Sequence, residues 1–238
     1  MGRLQNKKMK NTINENYTEF YKNKKLSKLY PTEFVVRTFK AGYPNLKTNI
    51  KDNDNLLKVL DLGFGDGRNS VFLAREGFQT SGIEITEEIV QMARERFSKY
   101  GLDVDFKVGR NNDIPYEDGF FDVVLACHSS YYLDENDKFE RNLDEIFRVL
   151  GKKGIFITSL PNDESYIFKD AKKSEDGSFL IANDHYKNRN GYRLQSFSSI
   201  KEIEERMNKY FKNFSFGYAY NNYYGIDEKV FWVVCEKI

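Results

Sequence analysis

Short apolar runs alternate along most of the chain with stretches whose apolar residues recur every three or four positions. The short runs predict β-strands and the periodic stretches predict helices. Strands separated by helices of this length are typical of βαβ units and a parallel sheet. The predicted strands are Lys58–Leu62, Gln79–Ile83, Val104–Val108, Phe121–Ala126 and Gly154–Ser159, and the predicted helices are Asn69–Glu76, Glu87–Tyr100 and Lys138–Leu150.

This alternation stops over residues 160–198, where polar turns surround two short strand candidates, and we expect an insertion there. A helix and two strands complete the chain. The loop between these last two strands is too short for a helical crossover, so they are expected to pair antiparallel. The elements of this part are predicted at Phe179–Ile181, Tyr192–Phe197, Ile200–Tyr210, Phe214–Ala219 and Lys229–Glu236.

The first 55 residues have a different pattern. Apolar residues recur at helical intervals between Tyr17 and Phe39, and the segment 31–33 (Pro-Thr-Glu) favours a helix start. We therefore predict an N-terminal helical lid and linker over residues 1–55. Residues 56–238 are predicted to form the main domain, a doubly wound α/β sheet with an antiparallel edge.

Composition and charge exclude several classes of protein. The 238 residues fit one large domain, and 37 Lys and Arg against 36 Asp and Glu leave a net charge of +1. That balance disfavours a dedicated nucleic-acid-binding protein. No apolar run approaches the roughly 18 residues of a membrane span. The two cysteines, Cys127 and Cys235, are too few for a disulfide framework, so a cytoplasmic location is expected.

The most specific signal is the segment 59–69, in which a buried strand leads into three glycines at alternate positions and then into a helix. The three glycines are Gly63, Gly65 and Gly67. Glycine accepts a positive φ and lets a ligand approach the backbone where a Cβ would collide. The segment therefore predicts a ligand site at the carboxyl end of the first strand.

Two carboxylates accompany this turn. Asp61 ends the strand, and Glu84, 21 residues after Gly63, has the position and spacing that suit the two hydroxyls of a ribose. A dinucleotide fingerprint fits less well, because Gly67 comes one place early and Asp66 would put a negative charge beside the diphosphate. A phosphate-free adenosine that carries a zwitterionic amino acid fits better, since Asp61 can hold its ammonium group.

These residues, together with the segments 114–124 and 143–156, resemble class I S-adenosylmethionine-dependent methyltransferases. The resemblance covers roughly residues 55–160. It implies a Rossmann-like seven-stranded sheet of order 3-2-1-4-5-7-6 with strand seven antiparallel, and S-adenosylmethionine as cofactor. The final pair of predicted strands supports that sheet order independently.

The resemblance also implies roles for individual residues. Asp61 would reach the methionine ammonium group, Glu84 the ribose hydroxyls, and Ile85 would pack on the adenine. A side-chain amide or the backbone of the two asparagines after the third strand would recognise the adenine, and the carbonyl of Cys127 would face the methionine amino group. The implied cofactor-binding residues are Asp61, Gly63, Gly65, Gly67, Glu84, Ile85, Asn111, Asn112 and Cys127.

The catalytic candidates follow the fourth strand, close to where the reactive methyl group would lie. His128 is a natural general base, since its unperturbed pKa lies near physiological pH; the alternative is that it only hydrogen-bonds a loop. Tyr131 and Tyr132 would position substrate or shield the sulfonium, and for at least one of them packing under the lid is the alternative. The insertion follows the fifth strand, so it is expected to overhang the acceptor pocket.

The sequence therefore favours methyl transfer to an oxygen or nitrogen atom of a small-molecule acceptor, with no metal and no membrane partner. Two other classes stay open, because one fold serves many functions. One is a nicotinamide-dependent oxidoreductase, which the early third glycine and Asp66 disfavour. The other is a non-catalytic module that binds S-adenosylmethionine.

Overall fold

The computed structural model describes residues 14–24, 28–48, 50 and 56–238. Two helices precede the main domain, α1 over residues 14–23 and α2 over Glu33–Lys40. Residues 1–13, 25–27, 49 and 51–55 of the predicted lid and linker lie outside the described residues. Helix α2 buries Val35 and Phe39 against one face of the sheet. Within the described ranges, no helix has the length and apolar composition needed to cross a membrane.

The main domain alternates strands with helices, as the apolar pattern predicts. Its first half contains β1 (Lys58–Leu62), α3 (Arg68–Arg75), β2 (Gln79–Glu84), α4 (Glu87–Tyr100), β3 (Asp105–Val108) and β4 (Phe121–Ala126). Its second half contains β5 (Tyr132–Leu133), α5 (Phe139–Val149), β6 (Leu150–Pro161), a 3-10 turn (Tyr166–Phe168), β7 (Lys172–Lys173), β8 (Ser178–Leu180), β9 (Arg193–Gln195), α6 (Ile200–Met207), β10 (Phe211–Tyr223) and β11 (Ile226–Lys237).

Seven strands form one sheet in the order β3-β2-β1-β4-β6-β11-β10. Strands β1 to β4 and β6 are parallel, whereas β11 pairs antiparallel with both β6 and β10. Numbered among themselves in chain order, the seven strands follow the order 3-2-1-4-5-7-6, with the seventh antiparallel. The predicted Rossmann-like α/β fold is therefore confirmed.

The insertion builds a second, smaller sheet of order β5-β9-β8-β7, in which all pairs are antiparallel. Two of its strands, β8 and β9, overlap the strand candidates of the insertion. The third partner, β5, belongs to the loop after β4, where Tyr132 pairs with Leu194. The insertion is thus attached to the loop that carries the catalytic candidates.

An aromatic cluster supports the glycine turn from below. Phe64, Phe97 and Phe106 pack together between α4 and the sheet. Gly67, the residue before α3, has φ +80°, and a Cβ there would lie 2.8 Å from the ring of Phe97. Gly82 of β2 is confined in the same way, because its Cβ would lie 2.8 Å from Phe64 and Phe106. Close packing therefore fixes the path of the turn.

Candidate functional site

A cavity of about 370 Å³ lies at the carboxyl ends of the parallel strands, within the range of small-molecule sites. Its wall is formed by α1, the glycine turn, the loops after β2, β3 and β4, and the insertion. Most of the sequence-predicted residues lie on this wall, while Asp61, Gly67 and Tyr131 do not. The predicted residues on the wall are Gly63, Gly65, Glu84, Ile85, Asn111, Asn112, Cys127, His128 and Tyr132.

Two of the three glycines form the floor of the cavity beside β1. Gly63 and Gly65 have φ of +71° and +61°. A Cβ on Gly63 would lie 2.6 Å from the Cβ of Ser129, in the loop after β4, and one on Gly65 would overlap the hydroxyl of Tyr21 in α1. Glycine at both positions lets the turn bring its backbone against two other segments.

Glu84 ends β2 and lies on the wall, only 8% exposed. Its Oε1 accepts a hydrogen bond from the Gly65 amide at 3.1 Å, and its Oε2 accepts one from the Ile85 amide at 2.8 Å. Burial raises the pKa of Glu84, and the two amides partly oppose that shift. A carboxylate can accept about four hydrogen bonds, so this one has room for two hydroxyl donors.

Asp61 is buried beneath the turn, away from the wall. Its Oδ2 accepts a hydrogen bond from the Ser70 hydroxyl of α3 at 2.6 Å. Burial raises the pKa of Asp61 to about 7. The Asp61 carboxylate thus faces the first turn of α3, and its contact with a ligand ammonium group stays a prediction.

Asp66 forms an ion cluster on the wall with Lys24, which follows α1, and Arg68 of α3. Each cation lies 2.6 Å from the Asp66 carboxylate. Burial favours a higher pKa for Asp66, but the hydrogen bonds from Arg68 and Lys24 outweigh it and lower the pKa to about 2. The residue is thus a permanent anion beside the glycine turn, and its two cations leave the cluster with a net positive charge.

The two asparagines after β3 bind the neighbouring loop through their amide N–H groups. Asn111 Nδ2 donates to the carbonyls of Ser129, at 2.8 Å, and Tyr132, at 3.3 Å. Asn112 Nδ2 donates to Asp134 at 3.2 Å and also to Asp137. Both residues reach the wall, so they connect the end of β3 with the loop after β4.

The end of β4 is where a titratable group meets the cavity. His128 has φ +58°, and its amide donates to the Ser159 hydroxyl at 2.7 Å. Burial, with smaller effects of Arg189 and Arg68, lowers the pKa of His128 to about 4, so its imidazole is neutral at pH 7 and is a weaker base than an unperturbed histidine. Burial raises the pKa of Cys127 to about 12, and this thiol is not a nucleophile.

Tyrosines from three segments meet above this point. The hydroxyl of Tyr17 in α1 donates to the hydroxyl of Tyr132 at 3.0 Å, and the ring of Tyr192 lies 5.3 Å from that of Tyr132. Tyr131 is 3% exposed and stacks on Tyr132 with ring centres 5.0 Å apart. Of the two tyrosines proposed from sequence, Tyr132 reaches the cavity and Tyr131 packs in the core behind it.

The insertion contributes wall residues that no local motif marks. Arg189 Nη2 donates to Asp184 Oδ1 at 2.8 Å and to the hydroxyl of Tyr166. The signal that could have found Arg189 is the place of the insertion after the fifth strand of the main sheet, which predicts an overhang but not a particular residue. Further wall residues without a motif include Phe20, Lys24, Arg110, Tyr186 and Asn188.

Comparison with known proteins agrees with this geometry. Residues 59–154 match the family model described as a methyltransferase domain. The match contains the glycine turn, Glu84 and the end of β4, which form three sides of the cavity. Residues 59–154 are thus similar to a methyltransferase domain, and the sheet order is that of the class I S-adenosylmethionine-dependent methyltransferase fold.

Curated relatives share this part of the chain. The chain is 34% identical over 120 residues to ajmaline N-methyltransferase of Rauvolfia serpentina. The aligned region covers 49% of this chain and 38% of that protein. It is 29% identical over 182 residues to carboxy-S-adenosyl-L-methionine synthase of Campylobacter lari (strain RM2100), covering 74% of this chain and 73% of that protein. The chain spans about half the length, or less, of several further curated relatives that it matches.

Solved structures show the same fold. An S-adenosylmethionine-dependent methyltransferase of Methanosarcina mazei superposes with a TM-score of 0.60 at 22% identity, covering 76% of this chain and 92% of that chain. The PH0226 protein of Pyrococcus horikoshii gives a TM-score of 0.59, also at 22% identity, over 79% of this chain and 85% of that one. At this level of identity the likeness is one of fold.

Proposed function

We propose that this chain transfers the methyl group of S-adenosylmethionine to an oxygen or nitrogen atom of a small molecule. The observation that carries the proposal is that Glu84 and His128 lie on the wall of one cavity. The glycine turn and the start of helix α3, which follows it, belong to the same wall. Such a cavity at the carboxyl ends of parallel strands is where open α/β sheets bind ligands.

The donors and acceptors of the wall fit an adenosine that carries an amino acid. The Glu84 carboxylate offers acceptors for a ribose diol, and Ile85 beside it offers an apolar surface for a base. When bound, S-adenosylmethionine supplies an electrophilic methyl group on a sulfonium sulfur.

The protein's part in catalysis is mainly alignment. Methyl transfer needs the acceptor atom in line with the reactive methyl group, and a rigid cavity supplies that order before reaction. His128 would accept the proton of the acceptor atom, because its imidazole is neutral at pH 7. The hydrogen-bonded pair of Tyr17 and Tyr132 would hold the acceptor against the cofactor and exclude water.

Helix α1 would act as a lid over this cavity. Its residues Tyr17, Phe20 and Tyr21 lie on the wall, and so does Lys24 just after the helix, which binds Asp66 beside the glycine turn. A ligand enclosed by α1 would be shielded from bulk water, which strengthens the polar interactions around it.

A small-molecule acceptor and a cytoplasmic location complete the proposal. The cavity is bounded by α1 on one side and the insertion on the other, which leaves a pocket rather than a groove for a polymer. The names of relatives such as ajmaline N-methyltransferase support a small acceptor. The two free thiols, Cys127 and Cys235, support a reducing compartment.

A thermal-shift comparison with S-adenosylhomocysteine, NADH and buffer alone tests the cofactor. At 100 times its dissociation constant a ligand adds about 2.7 kcal/mol of stability, which for a domain of this size is on the order of 5–10 °C. We expect a shift with S-adenosylhomocysteine only. A shift with NADH only would replace the proposal with hydride chemistry.

A substitution of His128 tests the catalytic step. Asn suits the positive φ of this position better than Ala does, so His128→Asn preserves the backbone. We expect turnover to fall on the order of 100-fold, the usual contribution of general acid–base catalysis, while the Kd for S-adenosylhomocysteine stays the same. Unchanged turnover would leave His128 with a structural role only.

A further inference from the structure

Arg189 differs from the other cations on the wall because its acid partner does not line the cavity. Its side chain is 16% exposed, and it belongs to the insertion, on the side of the cavity where an acceptor would enter. Its positive charge lowers the pKa of His128, in the same direction as burial does. It also lowers the pKa of Tyr132, which burial raises. Arg189 therefore lies close to the place where methyl transfer would occur.

The acids that balance the charge of Arg189 lie behind the wall of the cavity rather than on it. Its ion-pair partner Asp184 has a fully buried side chain and does not line the cavity. Glu228 of β11 also faces Arg189 from outside the wall, and burial raises its pKa. The guanidinium thus stands between these acids and the cavity.

The other cations on the wall have acid partners that line it as well. Lys24 and Arg68 share Asp66, and Arg110 pairs with Asp134 at 2.7 Å. A ligand that meets these groups meets an ion pair. On the described part of the wall, Arg189 is the cation whose acid partner is hidden from the ligand.

Two polar atoms beside this cation are left without partners. Among the described residues, Arg189 Nε and Asn188 Oδ1 are buried and make no hydrogen bond. Buried donors and acceptors are normally paired, by protein, water or ligand. The bonds of Arg189 to Asp184 and Tyr166 both use Nη2, and the partly exposed side chain reaches the wall, so the guanidinium can meet an acceptor that enters the cavity.

We propose that Arg189 binds a carboxylate group of the methyl acceptor, so that the substrates of this chain are small carboxylic acids. The proposal rests on the methyltransferase function proposed above and names its substrate class. A planar carboxylate matches one guanidinium with two parallel hydrogen bonds. A phosphate dianion fits less well, because this side of the cavity offers a single cation.

A panel of small hydroxy and amino carboxylic acids, each paired with its primary amide, tests the proposal in the wild-type chain. Methylation is measured with radiolabelled S-adenosylmethionine, and binding of each compound to the complex with S-adenosylhomocysteine is measured by calorimetry. We expect the acids to exceed their amides in kcat/KM and affinity by about 10- to 100-fold, the range of a charged hydrogen bond. Equal kcat/KM and affinity for acids and amides, or higher values for neutral acceptors, would overturn the proposal.

Variants test whether the preference for acids over amides depends on Arg189. Because Arg189→Met alone strands the buried charge of Asp184, the informative variant is the pair Arg189→Met and Asp184→Asn, which removes both charges together. This pair should reduce the acid-to-amide ratio to near one through a higher KM for the acid. Lys187→Met is the matched control, because Lys187 is an exposed cation off the wall, and it should keep the wild-type ratio.

The readouts separate this proposal from the function on which it rests. If the wild-type chain does not bind S-adenosylhomocysteine, the methyltransferase proposal fails. If it binds that ligand but shows no preference for acids over amides, or keeps the preference in the double variant, only the role of Arg189 fails.

Discussion

Two carboxylates five positions apart differ in protonation because their partners differ. Asp66 is held by two cations, and its pKa is about 2. Asp61 has only the Ser70 hydroxyl as its side-chain partner, and burial raises its pKa to about 7. The glycine turn therefore has one permanent charge at its surface and one group that titrates near neutrality beneath it. In Glu84, two backbone amides stabilise the anion and oppose the rise in pKa that burial causes.

Replacing Glu84 by Gln should weaken cofactor binding without unfolding the chain. The amide oxygen of Gln can still accept one of the two backbone hydrogen bonds, whereas Ala would strand both buried amides. Loss of a charged acceptor for the ribose should raise the Kd for S-adenosylhomocysteine by about 10- to 100-fold. Calorimetry measures the affinity, and a melting curve checks the fold. An unchanged Kd would contradict the ribose assignment.

Asp61 should make stability fall as pH rises. Between its unfolded pKa near 3.8 and its folded pKa of about 7, the folded chain binds a proton that the unfolded chain lacks. The free energy of unfolding therefore decreases with pH across this window. Relative to Asp61→Asn, whose amide does not titrate, the wild type should lose on the order of 2–4 kcal/mol between pH 4 and pH 7.5.

Urea unfolding of both chains at several pH values measures this difference. Asn preserves an acceptor for the Ser70 hydroxyl, so the fold should persist in the variant. The exposed Asp163→Asn is the matched control and should follow the wild-type pH dependence. Parallel curves for the wild type and Asp61→Asn would show that Asp61 is ionised throughout the window.

At the scale of elements, α1 is held to the rest of the chain by polar contacts and by packing of its tyrosines. Thr18 shares a hydrogen bond of 3.1 Å with Thr86, Tyr17 binds Tyr132, and Lys24, which follows the helix, binds Asp66. Tyr17 and Tyr21 also pack against buried core clusters. Opening of α1 would break these contacts, so the rate of opening should depend on them.

Lys24→Met should accelerate ligand release. The substitution removes the ion pair between α1 and the glycine turn, while Arg68 still neutralises Asp66. A partly exposed pair of this kind should change the dissociation rate of S-adenosylhomocysteine by about 3- to 10-fold. Stopped-flow displacement measures that rate. Lys22→Met, an exposed substitution in α1, is the control. Equal dissociation rates in both variants would show that the ion pair between Lys24 and Asp66 does not slow ligand release.

The apolar pattern predicts the regular elements and misses what long-range pairing adds. Strands β1 and β4 and helix α4 begin and end where the pattern places them. Strands β10 and β11 extend beyond their apolar cores toward the hairpin, because each pairs with its neighbour through polar residues such as Asn221 and Asn222. The second sheet joins β5 to the insertion across some 60 residues, a pairing with no local signal.

The same limit applies to the cavity as a whole. Its glycine turn and Glu84 are predictable because one βαβ unit contains them and their spacing reflects the ligand. Arg189 and Tyr17 are brought to the wall by the tertiary fold, and the hydrogen bond between Tyr17 and Tyr132 joins residues 115 positions apart. A cavity closed by distant segments should couple those segments through its ligand, because each contributes part of the same wall.

Hydrogen exchange should reveal this coupling. If opening of α1 or of residues 184–192 abolishes binding, S-adenosylhomocysteine at 100 times its Kd should slow amide exchange in both segments by about 100-fold. Residues 220–226, at the hairpin tip away from the wall, should not change. Tyr17→Phe removes the hydroxyl bond to Tyr132, and it should reduce the protection of α1 more than that of residues 184–192. Protection confined to the strand ends, with α1 unaffected, would mean that the cofactor binds without the lid.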